Sequence, residues 1–527
     1  MARTFLPALG VGSLGLLATA ASMDVSAAQS ASPTPASAES QAAPARCSGL
    51  LGKQIAGAIV DKADFITAGS GLPPMNIKSP ADFCLVDAKI SPVAGSEIKI
   101  QIWLPAKWNG KFVGAGGGGF EGGYGAAFVG LRRPLAKGYA GVVTNAGHDP
   151  APEPKWALGN PQKIVDYGYR ANHLGAVVGK AAVREYYGAP AKRAYFQGCS
   201  NGGRDALMLA QRYPDDYDAI AVGAPANDFT GLMAAFVQTE QWVRQPGIDL
   251  SAAKLKRVNQ AAIKLCDSND GLSDGLIDRP QSCRFDPAVL QCKLGEKENC
   301  LTSSEVGVVK AIYRGHSTST GGEVMPGLPV GSEYEWANWL TGPKAAGAGL
   351  GLPFFGYMVH QDAGWTMAKF DFGRDYAAAQ KQLSPIIDAK NPDLRPFLRK
   401  GGRLLMYHGW DDAAIPAGNT LRYYAAMKQA TGRLAADRTR LFMLPGVAHC
   451  AGGNGPDILD YFGELDRWTE SGIAPEQVVA TKYDSLISLI SGAPVKVLRT
   501  RPICAWPKSA RYKGVGSPDE AANFVCG

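Results

Sequence analysis

Residues 198–203 read Gly-Cys-Ser-Asn-Gly-Gly, between an apolar run, Ala194–Gln197, and a stretch from Arg204 to Tyr213 patterned as a helix. A serine with glycines two before and two after it, set between strand and helix, is the sequence form of a nucleophile elbow. The glycines leave room for the strained turn that exposes the Ser200 hydroxyl; the bland alternative is a Gly-rich turn with a surface serine. A serine attacks only when a histidine takes its proton and an acid orients that histidine. The histidines are His148, His173, His316, His360, His408 and His449. With an elbow of this kind the acid and then the histidine follow the serine, each on a loop after a strand. His449 follows the strand-like Arg440–Leu444 directly and is the expected base. His408 precedes the acid-bearing loop, and His173 sits in a helical stretch before the nucleophile, where packing or exposure explains it. The acid belongs to the loop after Arg403–Tyr407, so it is Asp411 or Asp412.

Charge developing on a carbonyl oxygen needs backbone N–H groups aimed at it. One comes from Asn201, the residue after the nucleophile. The other is expected from the Gly-rich run Gly114–Gly123. That run lacks the Lys-Ser/Thr ending of a phosphate-binding loop. A separate acidic cluster reads Cys266-Asp-Ser-Asn-Asp-Gly-Leu-Ser-Asp-Gly-Leu-Ile-Asp278. Carboxylates at this density repel one another unless a hard cation sits among them, and calcium takes such oxygen donors. The spacing is not that of an EF-hand, and a solvated acidic turn is the plainer alternative.

These residues need a frame. Ile98–Leu104, Gly141–Thr144, Ala194–Gln197, Asp218–Val222, Arg403–Tyr407 and Arg440–Leu444 read as strands. Helices are expected over Tyr169–Tyr187, Arg204–Tyr213, Asn419–Met427 and Ile458–Trp468. Such alternation predicts a mostly parallel sheet with helices on both faces. It fails between Asn227 and about Leu394, which reads as an inserted lid over residues 228–394, between core segments 47–227 and 395–527. The insert holds Trp336, Trp339, Phe354, Phe355 and Trp365, either an aromatic clamp for a flat substrate or the insert's own core.

The chain has 527 residues, 46% apolar and 19% charged, with 64 glycines and no repeat. This excludes a disordered chain and a collagen-like one. The net charge of +7 forms no basic block, so no nucleic-acid partner is expected. Arg3, an apolar run from Phe5 to Ala21, and Val25-Ser-Ala27 have the layout of a signal peptide over residues 1–27, with a flexible Ala/Ser/Pro leader over 28–46. No second apolar stretch is long enough to span a membrane. A secreted or periplasmic protein is expected, with no membrane partner. The ten cysteines form an even set, as in a disulfide framework. None has zinc-ligand spacing.

The motifs together resemble the tannase/feruloyl esterase family of α/β-hydrolases, across nearly all of the mature chain. The resemblance lies in Trp108-Asn-Gly110 leading into the Gly run, Gly198-Cys-Ser-Asn-Gly-Gly-Arg204, Tyr407-His-Gly-Trp-Asp-Asp-Ala-Ala-Ile-Pro416 and Leu444-Pro-Gly-Val-Ala-His-Cys450. It implies an α/β-hydrolase core with a lid, and places the acid on Asp412. It implies disulfides Cys199–Cys450, Cys47–Cys84, Cys266–Cys283, Cys292–Cys300 and Cys504–Cys526. It implies a structural calcium ion on the side chains of Asp267, Asp270 and Asp274 and the carbonyls of Leu272 and Leu276, with no organic cofactor. Where the family has Gly-x-Gly-Asn-Gly-Gly-Phe, this chain has Gly116-Gly-Gly-Gly-Phe120, so any of the four glycines is open as oxyanion donor; Gly118 is the choice made here.

The expected function is a serine carboxylester hydrolase: Ser200 as nucleophile, His449 as base, Asp412 as orienting acid. The resemblance implies a small aromatic ester substrate, galloyl, feruloyl or chlorogenic, cleaved by a monomer. An alternative is a mono(2-hydroxyethyl) terephthalate hydrolase. In members with that activity a lid arginine, expected shortly before Phe354, holds the substrate's carboxylate; here no arginine lies between Arg314 and Arg374. An alternative of another class is a catalytically silent binder of phenolics or polysaccharide.

Overall fold

Strands whose residues are apolar on both faces must be covered on both faces. Three such runs, Ala219–Gly223, Arg403–Gly409 and Thr439–Leu444, are buried almost end to end. They lie side by side at one end of a ten-stranded sheet in the computed structural model, which describes residues 35–72, 76–296 and 298–527. The strands are β1 (Gln54–Ile55), β2 (Ala58–Ile66), β3 (Phe83–Ile90), β4 (Ile98–Pro105), β5 (Lys111–Ala115), β6 (Ala140–Thr144), β7 (Arg193–Cys199), β8 (Ala219–Gly223), β9 (Arg403–Gly409) and β10 (Thr439–Leu444). Their order is β1-β2-β3-β4-β6-β5-β7-β8-β9-β10. Every pairing from β6 to β10 is parallel, and every pairing from β1 to β6 is antiparallel. The core is thus an α/β-hydrolase sheet whose amino-terminal half runs antiparallel, a half the periodicity reading caught only at β4 and β6.

Side chains alternate across the sheet as a period of two requires. Phe196, Ile220, Val222, Leu404 and Met406 face one core with helices α1 (Ala171–Tyr187), α2 (Asn201–Arg212) and Ala417–Thr431. Tyr195, Ala221, Leu405, Tyr407 and Phe442 face the other, with helix Tyr461–Ser471. That last helix starts later than the periodicity predicts, because Ile458–Leu459 is drawn off to pair with Gln477–Tyr483 in a small sheet completed by Val497–Cys504.

Between β8 and β9 the chain leaves the sheet and builds a third core. Helices α3 (Phe229–Val243), α4 (Ala252–Cys266), α5 (Ser303–Arg314) and α6 (Phe372–Gln382) surround Phe236, Val258, Val309, Trp336, Phe354 and Phe355. The two ends of this insert meet: Ala389 N–H donates to Asn227 C=O at 2.8 Å, and Asp388 accepts from the Thr230 N–H and hydroxyl at 3.0 and 2.7 Å. The aromatic residues read as a possible clamp divide here. Trp336, Phe354 and Phe355 are fully buried in the insert's own core, and Trp365 stacks on His360 and Phe355. Trp339 alone of the set reaches the region of His449.

The disulfides are Cys47–Cys84, Cys199–Cys450, Cys266–Cys283, Cys292–Cys300 and Cys504–Cys526, the pairs that the resemblance implies. Residues 43–527 form one unit. Pro35–Ser48 is helical rather than a flexible leader throughout, as its alanine content favours. The apolar run at Phe5–Ala21 and the cleavage pattern at Val25–Ala27 lie outside the described residues. Among the described residues no helix is long and apolar enough to cross a membrane.

Candidate active site

In parallel sheets, chemistry gathers where strands end, because the loops there converge. Ser200 follows β7, Asp412 follows β9 and His449 follows β10. Ser200 has φ 64° and ψ −124°, a strained conformation for a residue with a Cβ. It caps α2, and its backbone is pinned by Ser200 N–H to Gly223 C=O at 3.1 Å and by Ala226 N–H to Ser200 C=O at 3.0 Å. The flanking glycines are required by close approach. A Cβ on Gly198 would stand 2.3 Å from the Gly202 carbonyl oxygen, and one on Gly202 would stand 2.8 Å from the Gly116 and Gly117 backbone.

Spacing leaves two aspartates open, and the geometry separates them. Asp412 Oδ2 lies 2.8 Å from His449 Nδ1. Asp412 is wholly buried, and its Oδ1 accepts from the N–H groups of Ala414 and Ile415 at 2.9 and 2.8 Å. Burial pushes its pKa up, but the charge of His449 and hydrogen bonds from His408 and His449 outweigh that and hold the carboxyl well below its usual range. Asp411 turns the other way, towards Glu333 and Tyr334 of the insert, where burial and then the Glu333 charge push its pKa well up.

His408, set aside as a base, proves to be a second partner of the same acid. It is fully buried, with Nε2 3.2 Å from Asp412 Oδ2 and 2.9 Å from Ile415 C=O, and Nδ1 2.8 Å from the Thr420 hydroxyl. Nε2 must donate, since both of its partners are acceptors, while Nδ1 faces a hydroxyl that can donate or accept. His173 pairs with Asp216 at 2.8 Å on α1, away from the strand ends.

The Gly-rich run leaves β5 and passes over the first turn of α2. Gly116 N–H is spent on Gln197 C=O at 3.0 Å, and Gly118 C=O accepts from Glu121 N–H at 2.9 Å. Gly118 borders open space, and Leu350 of the insert is the nearest atom to a Cβ on Gly119, at 3.9 Å. The Trp339 ring meets the His449 ring edge-on at 5.1 Å. The insert thus meets the Gly-rich loop through Leu350 and the histidine through Trp339; neither residue had a sequence signal beyond its type.

The loop Asp267–Leu276 has an all-oxygen donor set suited to a hard cation. Burial raises the pKa of Asp270, the Leu272 N–H offsets part of this, and the charges of Asp274 and Asp267 raise it further. A cation would relieve that repulsion, so the residues fit calcium. Asp267 meanwhile accepts from Asp274 and Gly275 N–H groups, and Asp274 pairs through Oδ2 with Arg501 and Arg499. Among the described residues no three histidine, cysteine or carboxylate side chains form a ready metal cluster.

A family model described as tannase and feruloyl esterase matches residues 84–527. The chain is 34% identical to an uncharacterized esterase of Xanthomonas campestris, covering 92% of this chain and 91% of that one. It is 34% identical to the mono(2-hydroxyethyl) terephthalate hydrolase of Piscinibacter sakaiensis, covering 82% and 81%. Among solved structures it is similar to feruloyl esterase B of Aspergillus oryzae, with a TM-score of 0.83 and 27% identity over 92% of this chain and 100% of that one.

Proposed function

Because this chain belongs to the tannase and feruloyl esterase family of carboxylic ester hydrolases, we propose that it cleaves esters of phenolic acids through Ser200, His449 and Asp412. The reading is supported above all by the 2.8 Å contact of His449 Nδ1 with Asp412 Oδ2 beside the strained turn at Ser200. Asp412, kept ionised, holds the proton on His449 Nδ1, so Nε2 is free to accept one from Ser200. The Ser200 oxygen then attacks the ester carbonyl, and charge on the carbonyl oxygen is met by the N–H groups of Asn201 and Gly118. His449 returns its proton to the departing alcohol. Water, activated by the same histidine, releases the acid from the serine.

The acyl group is expected to be a flat phenolic ring laid against Trp339 and Leu350. A terephthalate monoester carries a second carboxylate, which is costly to desolvate without a bidentate partner. Residues 315–373 contain no arginine, and the insert side chain that would meet a Cβ on Gly119 is the apolar Leu350. Feruloyl, galloyl or chlorogenic esters should therefore give a larger kcat/KM than mono(2-hydroxyethyl) terephthalate. Rates on a panel of these four esters test the reading, and a preference for the terephthalate would reverse it.

A structural calcium ion belongs to the same proposal, held by the side chains of Asp267, Asp270 and Asp274 and the carbonyls of Leu272 and Leu276. When bound it neutralises the loop's carboxylates and takes no part in the chemistry. EDTA should lower the melting temperature and added calcium restore it. Asp270→Ala should start at the lower value and ignore both. A wild-type melting curve unmoved by EDTA leaves an acidic turn. The protein is proposed to act outside the cytoplasm, as its five disulfides favour, on a small ester and as a monomer.

A further inference from the structure

The Gly-rich loop ends in an acid that the ester chemistry leaves unused. Glu121 has φ 56°, a conformation that persists in a residue with a Cβ only where the surroundings hold it. Its side chain folds back under the loop, 3.1 Å from where a Cβ on Gly117 would stand. There the carboxyl accepts a short hydrogen bond from Asn201 Nδ2 and lies beside Asp205 on the first turns of α2. Asp205 is buried and gives Oδ1 to Arg204 Nη2 at 2.7 Å. Its Oδ2 has no hydrogen-bond donor among the described residues, and lies 3.1 Å from where a Cβ on Gly116 would stand. Two carboxyl groups buried side by side repel unless one carries a proton, which it can then donate to the unpartnered oxygen of the other.

Arg204 decides which one. Its guanidinium pairs with Asp205 and offsets part of the rise that burial causes there, while burial and then the Asp205 charge push Glu121 well above the usual range, so Glu121 is the member that favours the proton. The other groups facing the pair are neutral or remote. Tyr167 reaches Asn201 Oδ1 and Gly119 C=O, both at 2.9 Å. Asn172 of α1 lies near Asp205, Asp388 lies beyond Arg204, and the buried His148 sits beside Phe120 with its pKa lowered by burial.

We propose that Glu121 is a positioning residue for ester hydrolysis: its protonated carboxyl joins Asn201 to Asp205 and locks the Gly-rich loop onto α2, fixing both oxyanion N–H donors relative to Ser200. This rests on Ser200 being the nucleophile. Removing the proton at alkaline pH places a second negative charge beneath the loop, behind the place where the carbonyl oxygen becomes negative. That opposes the transition state more than the bound ester, so kcat falls and KM does not.

The experiment measures kcat and KM for a p-nitrophenyl ester from about pH 6 to 10, with the Ki of phenylboronic acid, whose tetrahedral serine adduct loads the same donors. Glu121→Ala should lower kcat about 10- to 100-fold, weaken the boronate by a similar factor, and change KM less than about threefold. Glu121→Gln, whose amide can donate to Asp205 and accept from Asn201, should recover most of that loss and lack the wild-type fall in kcat at alkaline pH. A glutamine variant no better than alanine, one that keeps the alkaline fall, or an alanine variant with wild-type kcat and Ki overturns the proposal. Should the alanine variant fail to fold, the glutamine profile and its Ki decide alone. An active Ser200→Ala enzyme sinks the nucleophile reading and this one with it. An inactive Ser200→Ala beside unaltered Glu121 variants sinks this inference only.

Discussion

Replacing Ser200 or His449 with alanine is expected to lower kcat by a factor of about 10⁴ or more, with the melting temperature little changed. The sharper test lies in the adjacent aspartates. Every group touching the Asp412 carboxylate is a donor: the N–H groups of Ala414 and Ile415 on Oδ1, and His449 and His408 on Oδ2. An asparagine there must keep its oxygen on the backbone pair and turn its NH₂ towards the histidines. His449 Nδ1 then becomes an acceptor, its proton moves to Nε2, and no base faces Ser200. Asp412→Asn should therefore cost roughly 10³- to 10⁴-fold in kcat. Burial and then the Glu333 charge push the Asp411 pKa well up, and its carboxyl faces the insert rather than His449, so Asp411→Asn, a near-isostere, should cost no more than about threefold. A reversed order of the two costs would move the acid by one residue.

The second large effect is expected from the bond between Cys199 and Cys450. Cys199 ends β7 immediately before the nucleophile, and Cys450, at φ 64°, follows the histidine. The bond spans 251 residues of sequence with Cα atoms 5.9 Å apart, and chain entropy alone assigns such a loop up to roughly 5 kcal/mol, less any strain. Its catalytic effect is separate, since it restrains the neighbours of both Ser200 and His449, and small misplacements cost rate steeply. The double change Cys199→Ala with Cys450→Ala should lose most of kcat even at temperatures where the fold is intact by circular dichroism. Peptide mapping without reduction should recover the two segments joined. Alkylation of Cys199 in folded, active enzyme would show the bond to be dispensable.

What the sequence reveals here depends on how local the physics is. The elbow is legible because its pattern falls within five residues, although only the demand at Gly198 is local, met against Gly202, while Gly202 is held to glycine by Gly116 and Gly117. Strands β7 to β10 are legible because burial on both faces leaves unbroken apolar runs. β2 is not: its register shifts between Val60 and Lys62, and Asp61, Lys62 and Asp64 break the alternation that marks a strand. β5 is hidden because Lys111–Ala115 merges into the glycine run. The choice between Asp411 and Asp412 needed either a family pattern or coordinates, since one peptide unit turns the two side chains to opposite partners. His408 and Glu121 escape any reading of spacing. Each matters through a contact made after folding, His408 with Asp412 and Glu121 with Asp205, 84 residues away in sequence.

The joined ends of the insert have a consequence for how such an enzyme can change. Asn227 and Ala389 are clasped to one another, so everything between them hangs from a closed stem between the adjacent strands β8 and β9. Closing a loop costs entropy that grows only with the logarithm of its length, about 0.6 kcal/mol per doubling. Residues can therefore be added to, or removed from, the stretch beyond the stem at small cost to the sheet that carries Ser200, Asp412 and His449. The sheet that carries the proposed triad and the stretch proposed to hold the acyl group are thereby free to vary at different rates, and a transplanted stretch cut at Asn227 and Ala389 is the natural unit of exchange.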